Sequence, residues 1–124
     1  MEWKPIARVK ESFEVRPHPR DAALLTVSVR LSRVPPPEWQ DRFKYSDMHR
    51  EGIPALDGTT VSIAVSDGQE EAGIAEIDDK IARTNAEYER DDLPVVRLHE
   101  QQEKRRDEEA NRRLKDARTR LKNL

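Results

Sequence analysis

The chain has 124 residues, of which 39% are charged and 35% apolar, and its formal net charge at pH 7 is −2. This length suits one domain with one core, and the periodic spacing of the apolar residues favours an ordered, helix-rich protein over a disordered one. The lack of cysteine excludes disulfides and thiolate metal sites. Since neither a signal-peptide pattern nor a run of the roughly 18 apolar residues of a membrane span occurs, we expect a cytoplasmic protein with no membrane partner.

Three segments of the first half alternate between apolar and polar residues, which predicts three strands. The first covers residues 6–15, where Glu11 interrupts the apolar face and predicts a bulge or an edge strand. The apolar positions of that segment are Ala7, Val9, Phe13 and Val15. Those of the second are Leu25, Val27, Val29 and Leu31, and those of the third are Val61, Ile63 and Val65.

The segments between the strands predict loops and one short helix. Two prolines make Arg16–Asp21 a loop, and residues 44–58 are expected to be irregular up to the Asp57-Gly58 turn signal. After three consecutive prolines, residues 38–43 predict a helical turn that places Trp39 and Phe43 on one face, at one end of the core.

An acidic helix is predicted from Asp67 to Asp91. Two overlapping capping boxes, Ser66 with Gln69 and Asp67 with Glu70, favour a start there. One apolar face recurs at helical spacing, and its members are Ile74, Ile77, Ile81 and Tyr88. Asn85 lies on the same face, where it is expected to cap a buried carbonyl or to set the register of a helix contact.

A second helix is predicted from Pro94 to about Lys122, after a break at residues 91–94. The eleven residues 99–109 contain nothing apolar, so pairs at i,i+4 such as Glu109 with Arg113 must support the helix there. Apolar residues then return in steps of four and three, as in a short coiled-coil seam. The seam positions are Ala110, Leu114, Ala117, Leu121 and Leu124.

These elements predict an α+β fold: a small three-stranded, mainly antiparallel sheet packed on one helix, with a long C-terminal helical arm. The predicted domains are an α+β core over residues 1–91 and a charged helical arm over residues 92–124. Charge separates between the helices, because residues 66–91 carry three Lys/Arg against nine Asp/Glu, whereas residues 92–124 carry ten against seven.

Catalytic, cofactor and metal sites are not predicted. Asp47, His49 and Glu51 alternate and could offer N/O ligands, but no second ligand pair or spacing template accompanies them. The four glycines never form a phosphate-binding motif, so no small-molecule ligand is indicated. A small metal-dependent hydrolase is therefore the third and least favoured hypothesis.

The leading hypothesis is a non-catalytic protein interaction or assembly module, an accessory subunit of a larger bacterial-type complex that self-associates or docks a partner through the C-terminal seam. The alternative is a nucleic-acid-binding accessory protein that uses arginines of the same helix. Those residues are Arg105, Arg106, Arg112, Arg113, Arg118 and Arg120. The outward face of the sheet is expected to be an ordinary solvated surface, and a docking patch there is the less favoured alternative. Its residues are Thr26, Ser28, Thr60, Ser62 and Ala64.

Overall fold

The computed structural model describes residues 2–45 and 53–124. It has the predicted α+β class, and it forms two compact units, Met1–Glu89 and Arg90–Leu124. The first unit contains β1 (Glu14–Pro17), β2 (Leu24–Arg30), α1 (Pro37–Tyr45), β3 (Ala55–Asp57), β4 (Thr60–Ser66) and α2 (Glu70–Glu87). A π-helical turn, Tyr88–Asp92, precedes α3 (Leu93–Lys122). None of the helices in these described ranges is both long and apolar enough to cross a membrane.

Within the described residues the sheet is antiparallel with four strands in the order β1-β2-β4-β3, so the prediction of three strands was wrong. The central pair, β2 and β4, is paired from Leu24↔Ser66 to Arg30↔Thr60. Val27, Val29, Val61 and Ile63 are buried on one face, as their alternation predicted.

The strand that the sequence did not predict is β3. It pairs with β4 through a two-residue hairpin, in which Asp57 lies opposite Thr60 and Gly58 has φ +62°. Glycine at the first turn position adopts this angle without strain, and such turns match the strand twist. Only Leu56 of the three strand residues is buried, which is too little for an alternating pattern.

The first predicted strand is much shorter than residues 6–15. Ile6 is buried, but the four residues predicted to form the apolar face, Ala7, Val9, Phe13 and Val15, are exposed. The chain turns at residues 10–11, where the Ser12 amide donates to the Val9 carbonyl at 3.2 Å. Glu11 therefore marks a turn and not a bulge, and Phe13 is 61% exposed. β1 continues through Pro17 into the predicted loop, which an edge strand permits because proline lacks only a ladder donor.

The short helix lies where the prolines predicted it. α1 begins at Pro37, and the side chains of Trp39 and Phe43 are fully buried and stacked, with ring centroids 5.3 Å apart. The two rings share one face of α1, as the four-residue spacing predicted, and that face is buried in the core.

The core helix α2 begins later than predicted and without the predicted capping boxes. It begins at Glu70, whose Oε1 accepts the Gly68 amide at 3.0 Å, and the residue preceding the helix forms no side-chain cap. Ile77, Ile81 and Tyr88 are buried as predicted, whereas Ile74 is only partly buried.

The prediction of a break in helical structure at residues 91–94 was wrong. The π-helical turn Tyr88–Asp92 takes the place of a loop, and Asp92 makes no side-chain cap. Pro94 has no amide to donate, and its ring crowds the carbonyl four residues earlier, so a locally widened turn accommodates it.

Candidate functional site

The second unit is dominated by α3, which is nearly bare of buried side chains beyond its first turn. From Arg97 to Lys122 every residue is exposed except Glu100 and Ala117, which are partly buried. The predicted pair between Glu109 and Arg113 forms, with 2.9 Å between Oε1 and Nη2. Local ion pairs of this kind, each worth about 0.2 to 0.5 kcal/mol, support the helix where packing does not.

An apolar stripe runs along the last turns of α3, and we call it the α3 seam. It consists of Ala110, Leu114, Ala117 and Leu121, which helical spacing places on one side. The exposed fractions of Leu114 and Leu121 are 55% and 67%. The fifth predicted position, Leu124, lies beyond the end of the helix and is 99% exposed.

Cations border the α3 seam on both sides. At about 100° per residue, Arg113 and Arg120 lie along one border, while Asn111 and Arg118 lie along the other. The nearby carboxylates Glu108, Glu109 and Asp116 lie about 110° to 150° around the helix from the centre of the seam. The seam and its cationic borders therefore form one continuous surface.

The six arginines predicted to contact nucleic acid do not share one side of α3. Arg106, Arg113, Arg118 and Arg120 lie beside the stripe, whereas Arg105 and Arg112 lie on the opposite side of the helix. The helix thus divides the predicted arginines into four bordering residues and two outer ones.

Toward the N-terminal end, the stripe of the α3 seam continues with carboxylates. Glu100, Glu103 and Asp107 occupy the positions that extend the seam backwards in steps of three and four. The stripe therefore changes from acidic to apolar at Ala110, which gives the C-terminal turns their distinct surface.

The predicted patch on the outward face of the sheet is made of short side chains. The Ser28 and Ser62 hydroxyls lie 2.9 Å apart across β2 and β4, next to the neighbouring pair Thr26 and Ala64. At the β1 edge, Arg16 pairs with Glu14 at 2.8 Å. One hydrogen bond between the two hydroxyls therefore links β2 and β4 on this face.

One charged residue of the core, Lys80, has a role that the sequence analysis did not assign. Lys80 is 2% exposed; its Nζ lies 3.3 Å from the Pro54 carbonyl oxygen and 4.5 Å from the centre of the Phe43 ring. Its position between Ile77 and Thr84 on the buried side of α2 was the signal that could have found it. The Pro54 carbonyl oxygen and the face of the Phe43 ring both stabilise the positive charge of a lysine inside the first unit.

Asn85 has the carbonyl-capping role that its place on the α2 face predicted. Its Nδ2 donates to the Ile6 carbonyl at 2.8 Å, and its Oδ1 accepts the Ile6 amide at 3.1 Å and the Trp39 indole N–H at 2.9 Å. This amide therefore joins the N-terminal segment, α1 and α2.

The histidines in the described ranges show no catalytic arrangement. His18 Nδ1 accepts the amides of Arg20 and Asp21 and orders its own loop, while His99 is exposed on α3. The candidate ligands Asp47, His49 and Glu51 lie outside the described residues. Among residues 2–45 and 53–124, no three His, Asp or Glu side chains are grouped closely enough to hold a metal ion.

Known proteins offer no assignment for these surfaces. No family model, curated protein or solved structure matches the chain. The function must therefore be argued from the surfaces themselves, and the α3 seam has the most specific chemistry among them.

Proposed function

We propose that the chain is a non-catalytic protein-interaction and assembly module that binds a helical partner through the α3 seam. The single observation that carries this proposal is the exposure of Leu114 and Leu121 on one stripe of a formed helix. Isolated exposed leucines are ordinary on protein surfaces, but a coiled-coil spacing with alanines between the leucines is the pattern that helix pairing uses.

The energy available from such a contact is substantial for a short helix. Full burial of a leucine side chain is worth about 1.5 to 3 kcal/mol. Because somewhat more than half of each leucine is still exposed, covering both would recover about 2 to 4 kcal/mol. A helix that already exists also loses less conformational entropy on binding than a disordered segment does.

Glutamates placed in the seam should abolish the interaction. We compare the wild-type chain with the double variant Leu114→Glu/Leu121→Glu by light scattering at up to about 100 µM, where micromolar association is nearly complete. Affinity capture from the native host, with mass spectrometric identification of bound proteins, is run on the same samples. We expect the variant to lose the dimer mass or the captured protein that the wild type shows.

The matched control is Gln102→Glu/Thr119→Glu, which adds the same charge to the same helix away from the seam. It should behave as the wild type does. A wild-type chain that is monomeric and captures nothing would contradict the proposal, as would a seam variant that retains every interaction.

Nucleic-acid binding is the second candidate function, and the observation that favours it is the row of arginines beside the seam. We expect Arg106, Arg113, Arg118 and Arg120 to contact phosphates, while Arg105 and Arg112 point away. Titration of a labelled duplex across salt concentrations tests this, because the logarithm of the affinity falls with a slope of about −0.9 per phosphate contact. Salt-independent or undetectable binding at low salt would exclude this function.

A further inference from the structure

We infer that the partner of the α3 seam is an acidic amphipathic helix of a different protein, with Asp and Glu bordering its own apolar stripe. This inference rests on the proposed function and specifies its partner. It follows from the charges that border the seam, which set the choice of partner in helix pairs.

The positions that face a paired helix carry one sign of charge. In a two-helix coiled coil, the residues directly beside the seam of one helix lie opposite the corresponding residues of the other. From residue 104 to residue 120 those positions on α3 are Lys104, Arg106, Asn111, Arg113, Arg118 and Arg120. Five are cations and none is a carboxylate.

Pairing between two copies of α3 opposes like charges in either direction. In a parallel pair, Arg113 of one copy would lie opposite Arg118 of the other. In a fully overlapping antiparallel pair, Arg106 would lie opposite Arg113, and Leu114 would meet Glu103 in the stripe. An antiparallel pair centred on the seam would instead set Leu114 against Ala117, but it would also place Arg113 opposite Arg120. Each arrangement thus places repulsion beside the seam, and the fully overlapping antiparallel one also places a carboxylate against a leucine.

The acidic helix of a second copy, α2, matches the α3 seam poorly. Its solvent side carries Ala72, Ala75, Ala82 and Ala86 but no leucine. Asp79 interrupts these alanines and pairs with Arg83 at 3.0 Å. Leu114 and Leu121 would therefore meet methyl groups and an ion pair instead of apolar side chains that enclose them.

A partner that fits can be described from the α3 seam itself. The stretch from Ala110 to Leu121 is about 17 Å long, so a helix of three to four turns covers it. That helix must supply aliphatic side chains to enclose the leucines and carboxylates opposite Arg113, Arg118 and Arg120. Carboxylates opposite these arginines make the contact sensitive to salt, which distinguishes it from a purely apolar one.

Two synthetic two-heptad peptides, each about four helical turns long, test the inference on the full chain. Both carry leucine at the seam positions, but one has glutamate and the other lysine at all bordering positions. Calorimetric titration should show the glutamate peptide binding tighter by about tenfold or more, the factor that three or four opposed charge pairs produce. The difference should shrink at about 0.5 M salt, where exposed charges are screened.

Charge reversal beside the seam provides the decisive variant. The triple change Arg113→Glu/Arg118→Glu/Arg120→Glu should invert the preference, so that the lysine peptide binds tighter. The matched control Arg112→Glu/Lys115→Glu/Lys122→Glu makes the same change in net charge on the outer side of α3. It should keep the wild-type preference, and circular dichroism at 222 nm is the test of whether both variants retain the helix.

Five outcomes decide between the possibilities. Equal binding of both peptides that disappears in Leu114→Glu/Leu121→Glu overturns the inference but leaves the proposed function standing. Equal effects of the two triple variants overturn it in favour of unspecific charge attraction. A duplex that binds tighter than either peptide overturns it in favour of nucleic-acid binding. If the chain alone dimerises with an affinity equal to or higher than its affinity for the glutamate peptide, the inference is overturned, because the partner is then a second copy of the chain. Peptides that bind equally to the wild type and the leucine variant contradict the proposed function as well.

Discussion

Asn85 is a polar residue whose loss should clearly destabilise the first unit. One side-chain amide serves three buried groups, the N–H and carbonyl of Ile6 and the indole N–H of Trp39, at 2.8 to 3.1 Å. Since Ile6 and Trp39 are almost completely buried, water cannot replace these bonds without entering the core. Asn85→Ala should therefore leave two donors and one acceptor unsatisfied.

The expected cost follows from the groups that lose a partner. Each unsatisfied buried polar group costs about 1 to 3 kcal/mol, and the low end applies because the vacated space can admit some water. Three groups then cost about 3 kcal/mol, from which the better helix propensity of alanine recovers about 0.5 kcal/mol. A net loss of about 2.5 kcal/mol is a large share of the 5 to 15 kcal/mol typical of a domain.

Urea unfolding followed by circular dichroism and tryptophan fluorescence measures this loss. With a slope of about 1 to 2 kcal/mol per molar for a small unit, the midpoint should fall by about 1 to 2.5 M. Asn111→Ala removes the same amide from an exposed position on α3 and should stay within about 0.5 kcal/mol of the wild type. A midpoint for Asn85→Ala that matches this control would refute the reasoning, because the three bonds would then carry no net stability.

Three further substitutions test other contacts of the same unit. Gly73→Ala should destabilise the first unit by about 1 kcal/mol in the urea assay, because a Cβ at this position would lie 2.7 Å from Val65 Cγ1 and the crowding outweighs the gain in helix propensity. Increased stability would show that α2 can shift to make room for the methyl group. Hydrogen bonds from backbone N–H groups lower the pKa of Glu70 below its ordinary 4.5, so the ionised carboxylate stabilises the fold above that pH and this stability is lost as pH falls through the folded-state pKa. Glu70→Gln should therefore flatten the acid side of a plot of melting temperature against pH. An unchanged slope would contradict this. The Arg8 guanidinium donates two hydrogen bonds to the Asp78 carboxylate, at 2.8 and 3.0 Å, which raise the pKa of Arg8. Arg8→Lys should lower the free energy of unfolding by about 0.5 kcal/mol in low salt and by less in high salt. A loss of stability that does not change with salt would point to packing instead.

The parts of the fold that sequence patterns predicted are those in which a local period determines burial. Strict alternation identified β2 and β4, and helical spacing identified the buried side of α2 from Ile77 to Tyr88. The same spacing also put Asn85 at the position where it caps a backbone carbonyl. In each case the neighbours along the chain carry the information that decides which side is buried.

The parts that were missed depend on residues distant in sequence. Ile6 is buried because Asn85, 79 residues away, hydrogen-bonds its backbone, and Arg8 forms an isolated antiparallel β-bridge with Leu31. The alternation over residues 6–15 therefore assigned the wrong side chains to the core. β3 exists because it adds to the edge of β4, and three residues are too few for a pattern. Three consecutive prolines, by contrast, act locally, and α1 was predicted where it occurs.

The arginines beside the α3 seam also differ in whether a carboxylate of their own helix lies close enough to pair with them. Arg113 pairs with Glu109 at 2.9 Å, and Arg120 has Asp116 one turn earlier, so each has a carboxylate of its own helix within reach. Arg118 differs, because the residues three and four positions away on both sides are two leucines and two lysines. A carboxylate brought by a partner therefore relieves more repulsion at Arg118 than at either neighbour. The selectivity of the surface for an acidic helix should thus be concentrated at the centre of the seam, between Leu114 and Leu121, where apolar contact also excludes the most water.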